Sequence, residues 1–190
     1  MVDMLVLVNR DTPLPEGWEQ EMDIVRETNT LGQSVPAERA AREAYRRLRE
    51  ALAREGVFIE LDSGWRSVAE QRDIMERFTE KYGAEYARNY VAVPGFSEHH
   101  TGLALDLYYR KNGRDIVENE DLEQDPETWA AIHDKLAAFG FILRYPEGKE
   151  AVTGYSYEPW HIRYVGEKAA GEIAARGITL EEYLGKTPEK

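Results

Sequence analysis

Cysteine is absent from this 190-residue chain. Without thiols there is no disulfide framework and no thiolate nucleophile, and any bound metal has to be held by His, Asp or Glu. Histidine is scarce as well, with four copies at positions 99, 100, 133 and 161, so each is weighed individually. Long apolar runs are missing. The opening Leu5-Val6-Leu7-Val8 is too short to cross a bilayer, and Asp3 stands where a signal peptide would be basic. As the sequence stands, a cytoplasmic protein without a membrane span is expected, although removal of an export signal or anchor would leave the same sequence. Basic residues are in the minority, 24 against 36 acidic, for a formal charge of −12. Such a surface lacks the clustered Lys and Arg on which phosphate contacts depend, which argues against nucleic acid as a partner.

The length fits one domain, residues 1–190, and is sufficient to bury a core without disulfides. Residues 1–35 read as an extended lead-in packed on that domain, with a short strand at Leu5 to Val8 and an arm held extended by Pro13 and Pro15. Pro36 is expected to open a helix with Ala41, Tyr45, Leu48 and Leu52 on one face, closed by Gly56. Val57 to Leu61 reads as a strand. Ser67-Val68-Ala69-Glu70 has capping-box spacing and starts a helix to about Tyr82, with a looser segment through Tyr90 to Pro94-Gly95. In Leu103-Ala104-Leu105-Asp106-Leu107 the leucines take one side of a strand, and Ala104 and Asp106 the other. Asn112-Gly113 reads as a hairpin turn, residues 115–127 as an exposed acidic loop, and Asp125-Pro126 as the start of a helix ending at Gly140. Strands at Phe141 to Arg144 and Trp160 to Tyr164, then two C-terminal helices, complete an α+β pattern with a central antiparallel sheet flanked by helices.

Two cassettes hold the chemistry: Ser97-Glu98-His99-His100-Thr101-Gly102-Leu103-Ala104-Leu105-Asp106 and Glu158-Pro159-Trp160-His161. A hydrolytic zinc centre needs three nitrogen or oxygen ligands, an open position and a nearby base. His99, Asp106 and His161 would supply the ligands, and Glu158 the base. His99 and Asp106 are an odd number of residues apart, so a bend is required to bring them together, and Gly102 is the place for it. Asp106 lies within an apolar run, where a carboxylate needs compensation; an edge-strand acid is the simpler alternative. Pro159 forces Glu158 toward extended backbone, so the second cassette is a loop and strand and not a helix face; a solvated acid is the alternative for Glu158. His133 reads as a packed or edge histidine, and His100 as pointing away from the site. Arg66, in the turn before a capped helix, would serve as a fixed cation, or simply lie exposed.

These residues resemble the VanY-type zinc D-Ala-D-Ala carboxypeptidases and dipeptidases, within the group that includes lysostaphin-like and hedgehog-like domains. The Ser-x-His-x-x-Gly-x-Ala-x-Asp pattern is complete at Ser97, His99, Gly102, Ala104 and Asp106, and Glu-x-Trp-His at Glu158, Trp160 and His161. Ser63-Gly64-Trp65-Arg66-Ser67, followed by Gln71, is similar to the family's Ser-Gly-Tyr-Arg-Ser turn, and Leu7-Val8-Asn9 to its opening. Trp65 in place of Tyr, and His100 where Gln is frequent, depart from the pattern.

The resemblance implies a hedgehog/D-Ala-D-Ala peptidase-like fold. It implies Zn²⁺ held by His99, Asp106 and His161, with Glu158 as base and Arg66 beside the developing oxyanion. Ser97, Gln71 and Arg66 would hold substrate. The implied partner is a peptidoglycan precursor or muropeptide stem peptide ending in D-Ala. D,D-carboxypeptidase activity is favoured, with L,D-carboxypeptidase or D,D-dipeptidase activity in the same chemistry. A non-catalytic zinc-containing peptidoglycan-binding module of the same fold is the alternative.

Overall fold

A computed structural model of the chain describes residues 2–85, 87 and 91–187. Strands β1 (Ile24–Thr28) and β2 (Ser34–Glu38) form a separate antiparallel hairpin with Arg26 opposite Pro36. Pro36 therefore lies inside a strand and does not open a helix. A two-stranded hairpin tolerates its missing N–H, and its carbonyl accepts a hydrogen bond from the Trp65 amide at 2.6 Å. Nor do Leu5 to Val8 form a strand. Val6, Leu7 and Val8 are buried, but the carbonyls of Met4 and Val6 accept from the Arg163 guanidinium, a side chain, and not from a neighbouring strand.

Helix α1 (Arg39–Arg54) buries Ala41, Tyr45, Leu48 and Leu52, the expected stripe, against β3 (Phe58–Ser63) and the core. Helix α2 (Val68–Tyr82) starts on the capping box read from the sequence: the Glu70 amide donates to Ser67 Oγ and the Ser67 amide to Glu70 Oε2. The looser segment expected through Tyr90 includes positions 86 and 88–90, which lie outside the described residues.

A 3₁₀ turn (Glu98–Thr101) leads into β4 (Ala104–Lys111), which returns through Asn112-Gly113 as β5 (Arg114–Ile116). Positive φ at both turn residues, 52° and 75°, matches the right-handed twist of the flanking strands. The acidic stretch is not wholly a loop: it contains most of β5 and a one-turn helix α3 (Asn119–Leu122) that buries Leu122. Then follow α4 (Pro126–Leu136), β6 (Phe141–Leu143), α5 (Glu150–Thr153), β7 (His161–Tyr164), α6 (Glu167–Arg176) and α7 (Leu180–Leu184).

The main sheet is antiparallel in the order β3-β4-β7-β6, with β5 also on β4, so the fold is α+β. Leu103, Leu105 and Leu107 enter the core, which leaves Asp106 on the opposite face of β4. Among the described residues no helix is long and apolar enough to cross a membrane.

Candidate metal centre and active site

Strands β4 and β7 are neighbours in a register that sets Asp106 opposite His161. His99 reaches the same point by a different route. The 3₁₀ turn that carries it closes on Gly102 at φ 72°, and that left-handed residue turns the chain into β4. On the other flank, β3 bulges between Leu61 and Ser63, placing Ser63 opposite Asp106 and the next carbonyl, that of Gly64, over His99. Nε2 of His99 lies 3.1 Å from Asp106 Oδ2, and Nδ1 of His161 lies 2.9 Å from Asp106 Oδ1. All three donors fall within 4.8 Å of one another.

The ring partners determine which nitrogen of each histidine is free. His99 Nδ1 faces the Gly64 carbonyl at 2.7 Å, an acceptor only, so Nδ1 carries the hydrogen and Nε2 a lone pair. His161 Nε2 faces Glu98 Oε2 at 3.4 Å, so with a cation at the donor cluster the hydrogen belongs on Nε2 and the lone pair on Nδ1. Both lone pairs are then aimed at a carboxylate, and among the described residues no hydrogen-bond donor other than the His161 ring reaches the buried Asp106 Oδ1. Converging acceptors at these separations repel unless a cation lies between them. Each ring nitrogen is about 3 Å from an Asp106 oxygen and the three donors lie within 4.8 Å of one another, a spacing that a single ion with bonds of about 2.0–2.1 Å can span.

Electrostatics point the same way. Burial, with the Arg66 charge nearby, pushes His99 down to about 4, so its ring is neutral. Burial also acts to lower His161, but the carboxylates of Asp106 and Glu98 on either side of the ring, with Glu158, outweigh it and carry the metal-free ring up to about 9, a proton on Nδ1 then taking the place of a metal. The pocket attracts one positive charge. A divalent ion fits the donor set: imidazole nitrogen and carboxylate oxygen with no sulfur suit zinc.

Beside the donors a cleft of about 560 Å³ is lined by Arg66, Gln71, Ser97, Tyr155, Glu158 and Trp160 among others. Glu158 Oε2 is 3.8 Å from His161 Nδ1. Burial raises its carboxyl to about 7, the His161 charge working against that rise and Asp106 with it. Arg66 is held on three sides: Nε donates to Ser63 Oγ, Nη1 to Gln71 Oε1 and Nη2 to Asp106 Oδ2. The Gln71 amide donates in turn to the Ala92 carbonyl, so Gln71 both lines the cleft and orients Arg66.

Two histidines stay outside. His100 is buried between the Arg66 carbonyl, to which its Nδ1 donates, and the Gly95 amide, from which Nε2 accepts. His133 stacks on Trp129 and donates through Nε2 to the Pro159 carbonyl, steadying the segment before His161. Trp65 is not among the described residues lining the cleft, so its replacement of Tyr does not form the pocket wall.

The Gly64 position tolerates no side chain, because a Cβ there would meet the Pro36 carbonyl oxygen at 2.2 Å. Gly64→Ala is expected to destabilise the protein by about 1–3 kcal/mol, the usual cost of overpacking. Because the Gly64 backbone that must shift away from Pro36 also carries the carbonyl that orients His99, zinc affinity is expected to fall in parallel; chemical denaturation and chelator competition measure the two effects.

The sequence reading missed a buried ionic cluster behind His161. Glu98 Oε1 accepts from Arg144 Nε and Arg163 Nη1, both at 2.7 Å, and Arg144 also pairs with both oxygens of Glu181. The arginines hold Glu98 far below the usual carboxylate range despite its burial. One signal was available: Arg144 and Arg163 stand in or beside apolar strand segments, where a charge needs a partner.

Two imidazoles and a carboxylate converging on one point, open to a cleft with an acid and a fixed cation at its edge, define a metal-dependent hydrolase centre. A family model described as VanY, D-alanyl-D-alanine carboxypeptidase, matches residues 35–167, and the chain belongs to that family. It is 34% identical to a D-alanyl-D-alanine carboxypeptidase of Enterococcus faecalis, over 95% of this chain and 65% of that protein's length. Among solved structures it is similar to the LD-carboxypeptidase LdcB, with 35% identity and TM-score 0.84 over 98% of this chain and 88% of that one. A variant of the D,D-pentapeptidase VanY from a VanB-type vancomycin resistance cassette, solved with Zn(II), matches at 34% identity and TM-score 0.77 over 96% of this chain and 99% of that one.

Proposed function

We propose that this protein is a zinc-dependent carboxypeptidase that removes the C-terminal D-Ala from peptidoglycan-type peptides, with D,D-activity favoured. The observation that carries the reading is the convergence of His99 Nε2, His161 Nδ1 and the buried Asp106 carboxylate on one point, with the second nitrogen of each ring held by its own partner, the Gly64 carbonyl or Glu98. Family membership supports the substrate class, and the zinc-bound relative supports the metal. His99, Asp106 and His161 would hold zinc. When bound, it supplies Lewis acidity toward a water molecule and toward the scissile carbonyl.

The remaining steps belong to side chains of this chain. Glu158, at the edge of the donor cluster, takes the proton from the attacking water and delivers it to the leaving amine of D-Ala. Arg66, fixed by Ser63, Gln71 and Asp106, keeps its charge at the cleft without reorganising and stabilises the oxyanion that develops on the scissile carbonyl. Ser97, buried at the cleft wall, and Gln71 help to seat the peptide. Residues 1–190 act as one peptidase unit, with residues 1–35 packed on it; Val2, Val6, Val8 and Trp18 join its core. A cytoplasmic location is part of the proposal as the sequence stands, and fractionation of cells carrying the native gene tests it.

The deciding assay measures free D-Ala released from a pentapeptide ending in D-Ala-D-Ala, a tetrapeptide ending in one D-Ala after an L-diamino acid, and the free dipeptide. Zinc-loaded protein is expected to act on the pentapeptide, to lose activity on chelation and to recover it with added zinc. Faster release from the tetrapeptide would move the assignment to L,D-activity, as in LdcB. Zinc-loaded protein that releases D-Ala from none of the three would be a binding module.

A further inference from the structure

We infer that Glu98 is a positioning residue that sets the tautomer of His161 and aims its Nδ1 at the metal, and that Arg144 and Arg163 hold Glu98 in place for that purpose. The inference rests on His161 being a ligand. Glu98 itself faces away from the donor cluster, on the far side of the His161 ring. Its Oε2 lies 3.4 Å from His161 Nε2, and its Oε1 accepts two guanidinium hydrogen bonds of 2.7 Å, one each from Arg144 and Arg163. The side chains of Glu98, Arg144 and Arg163 have no exposed surface at all. A carboxylate gripped this way is a hydrogen-bond acceptor of fixed position, and it favours the hydrogen on Nε2 of the imidazole beside it, leaving Nδ1 for the metal. Metal-bound histidines commonly use such a carboxylate on the second ring nitrogen, and its loss costs roughly 10–100-fold in affinity or activity.

The arginines are themselves anchored at points distant in sequence. Arg144 pairs with both oxygens of Glu181 in α7, and Asn9 donates to the same carboxylate. Arg163 donates to the carbonyls of Met4 and Val6. Both ends of the chain therefore close around the carboxylate that orients one imidazole. The ring's open face is covered by Tyr145, whose centroid is 4.7 Å away, so rotation is blocked as well. For His99 a backbone carbonyl, that of Gly64, performs the same task.

Zinc affinity by chelator competition, together with ring-nitrogen NMR of ¹⁵N-histidine-labelled protein, tests this. In the zinc-loaded parent, His161 is expected to carry its proton on Nε2 and His99 on Nδ1. Glu98→Asp keeps the charge that pairs the arginines but withdraws the carboxylate from the ring. Glu98→Gln presents a neutral amide. Both are expected to weaken zinc binding 10–100-fold and to broaden or shift the His161 nitrogen signals, with those of His99 unchanged. Glu181→Gln removes one anchor of Arg144 but leaves Arg163 on Glu98 Oε1, so Glu98 keeps its place; the substitution is expected to lower the melting temperature with less than a threefold change in zinc affinity.

Glu98 variants that bind zinc as tightly as the parent would overturn the inference, as would Glu181→Gln weakening binding as much as they do. If neither Glu98 variant folds, the parent spectrum decides: an unprotonated Nε2 on His161 overturns the inference, and a protonated one that exchanges slowly with solvent upholds it. Failure of the metal reading looks different, because the parent itself would then bind no stoichiometric zinc.

Discussion

Glu158→Ala is expected to lower kcat for D-Ala release by roughly 10²–10⁴-fold, the contribution of a positioned general acid–base, while one zinc per chain remains bound. That range corresponds to about 3–5 kcal/mol of transition-state stabilisation. KM should change little, because the proton transfer exists only on the way to the transition state, and kcat and kcat/KM should fall together. Steady-state kinetics on zinc-loaded protein, with elemental analysis of the same sample, separate the possibilities. Loss of zinc with the substitution would place Glu158 among the ligands, and an unchanged kcat would remove it from the chemistry.

The same side chain makes a separate prediction for the metal-free protein. Its carboxyl is raised from 4.5 to about 7, chiefly by burial. A raised acid contributes stability that is present below the unfolded value and lost as pH rises through the folded one. Metal-free Glu158→Gln should therefore melt above the parent at pH 8 and lose that advantage toward pH 4.

His161→Ala is expected to abolish both zinc retention and turnover. The substitution removes one of three protein donors, so the affinity loss should exceed the roughly 10–100-fold typical of losing an outer hydrogen-bond partner. It also leaves Asp106 Oδ1 and Glu98 Oε2 without the ring that separates them, two carboxylates in one buried space. Dialysed variant protein is expected to contain less than a tenth of an equivalent of zinc, and added zinc should not restore D-Ala release. Stoichiometric zinc in the dialysed variant would show that the donor set is wrong. Comparison with Glu158→Ala is informative because the residues are three apart on one segment: one substitution should remove chemistry alone, the other metal and chemistry together.

Much of the fold could be read locally. The capping boxes at Ser67 and Thr179, the Asn112-Gly113 turn and the apolar stripe of α1 depend on neighbours within a few residues, and the structure has them where the spacing predicts. The failures were also local in origin. Pro36 is a good helix opener by itself, but the hairpin with β1 and the Trp65 amide reach it from elsewhere in the chain. Leu5 to Val8 has strand composition, yet the carbonyl of Val6 is claimed by Arg163. His100 does point away from the site, as its position beside His99 predicts; only its two partners, Arg66 and Gly95, were not legible, because they come from separate turns.

Residue identity alone determined the kind of chemistry available: no thiols, His99 and His161 at the patterned positions of two cassettes, an aspartate on the polar side of a strand, and a proline that keeps Glu158 off a helix. Only the tertiary structure decided which ring nitrogen each histidine offers and what stands behind it. That choice depends on the Gly64 carbonyl for His99 and on Glu98 for His161, and both partners are brought into place by a strand bulge and by arginines anchored at the two ends of the chain. Hydrogen-bond direction is a property of pairs of atoms, and those pairs exist only once the chain has folded.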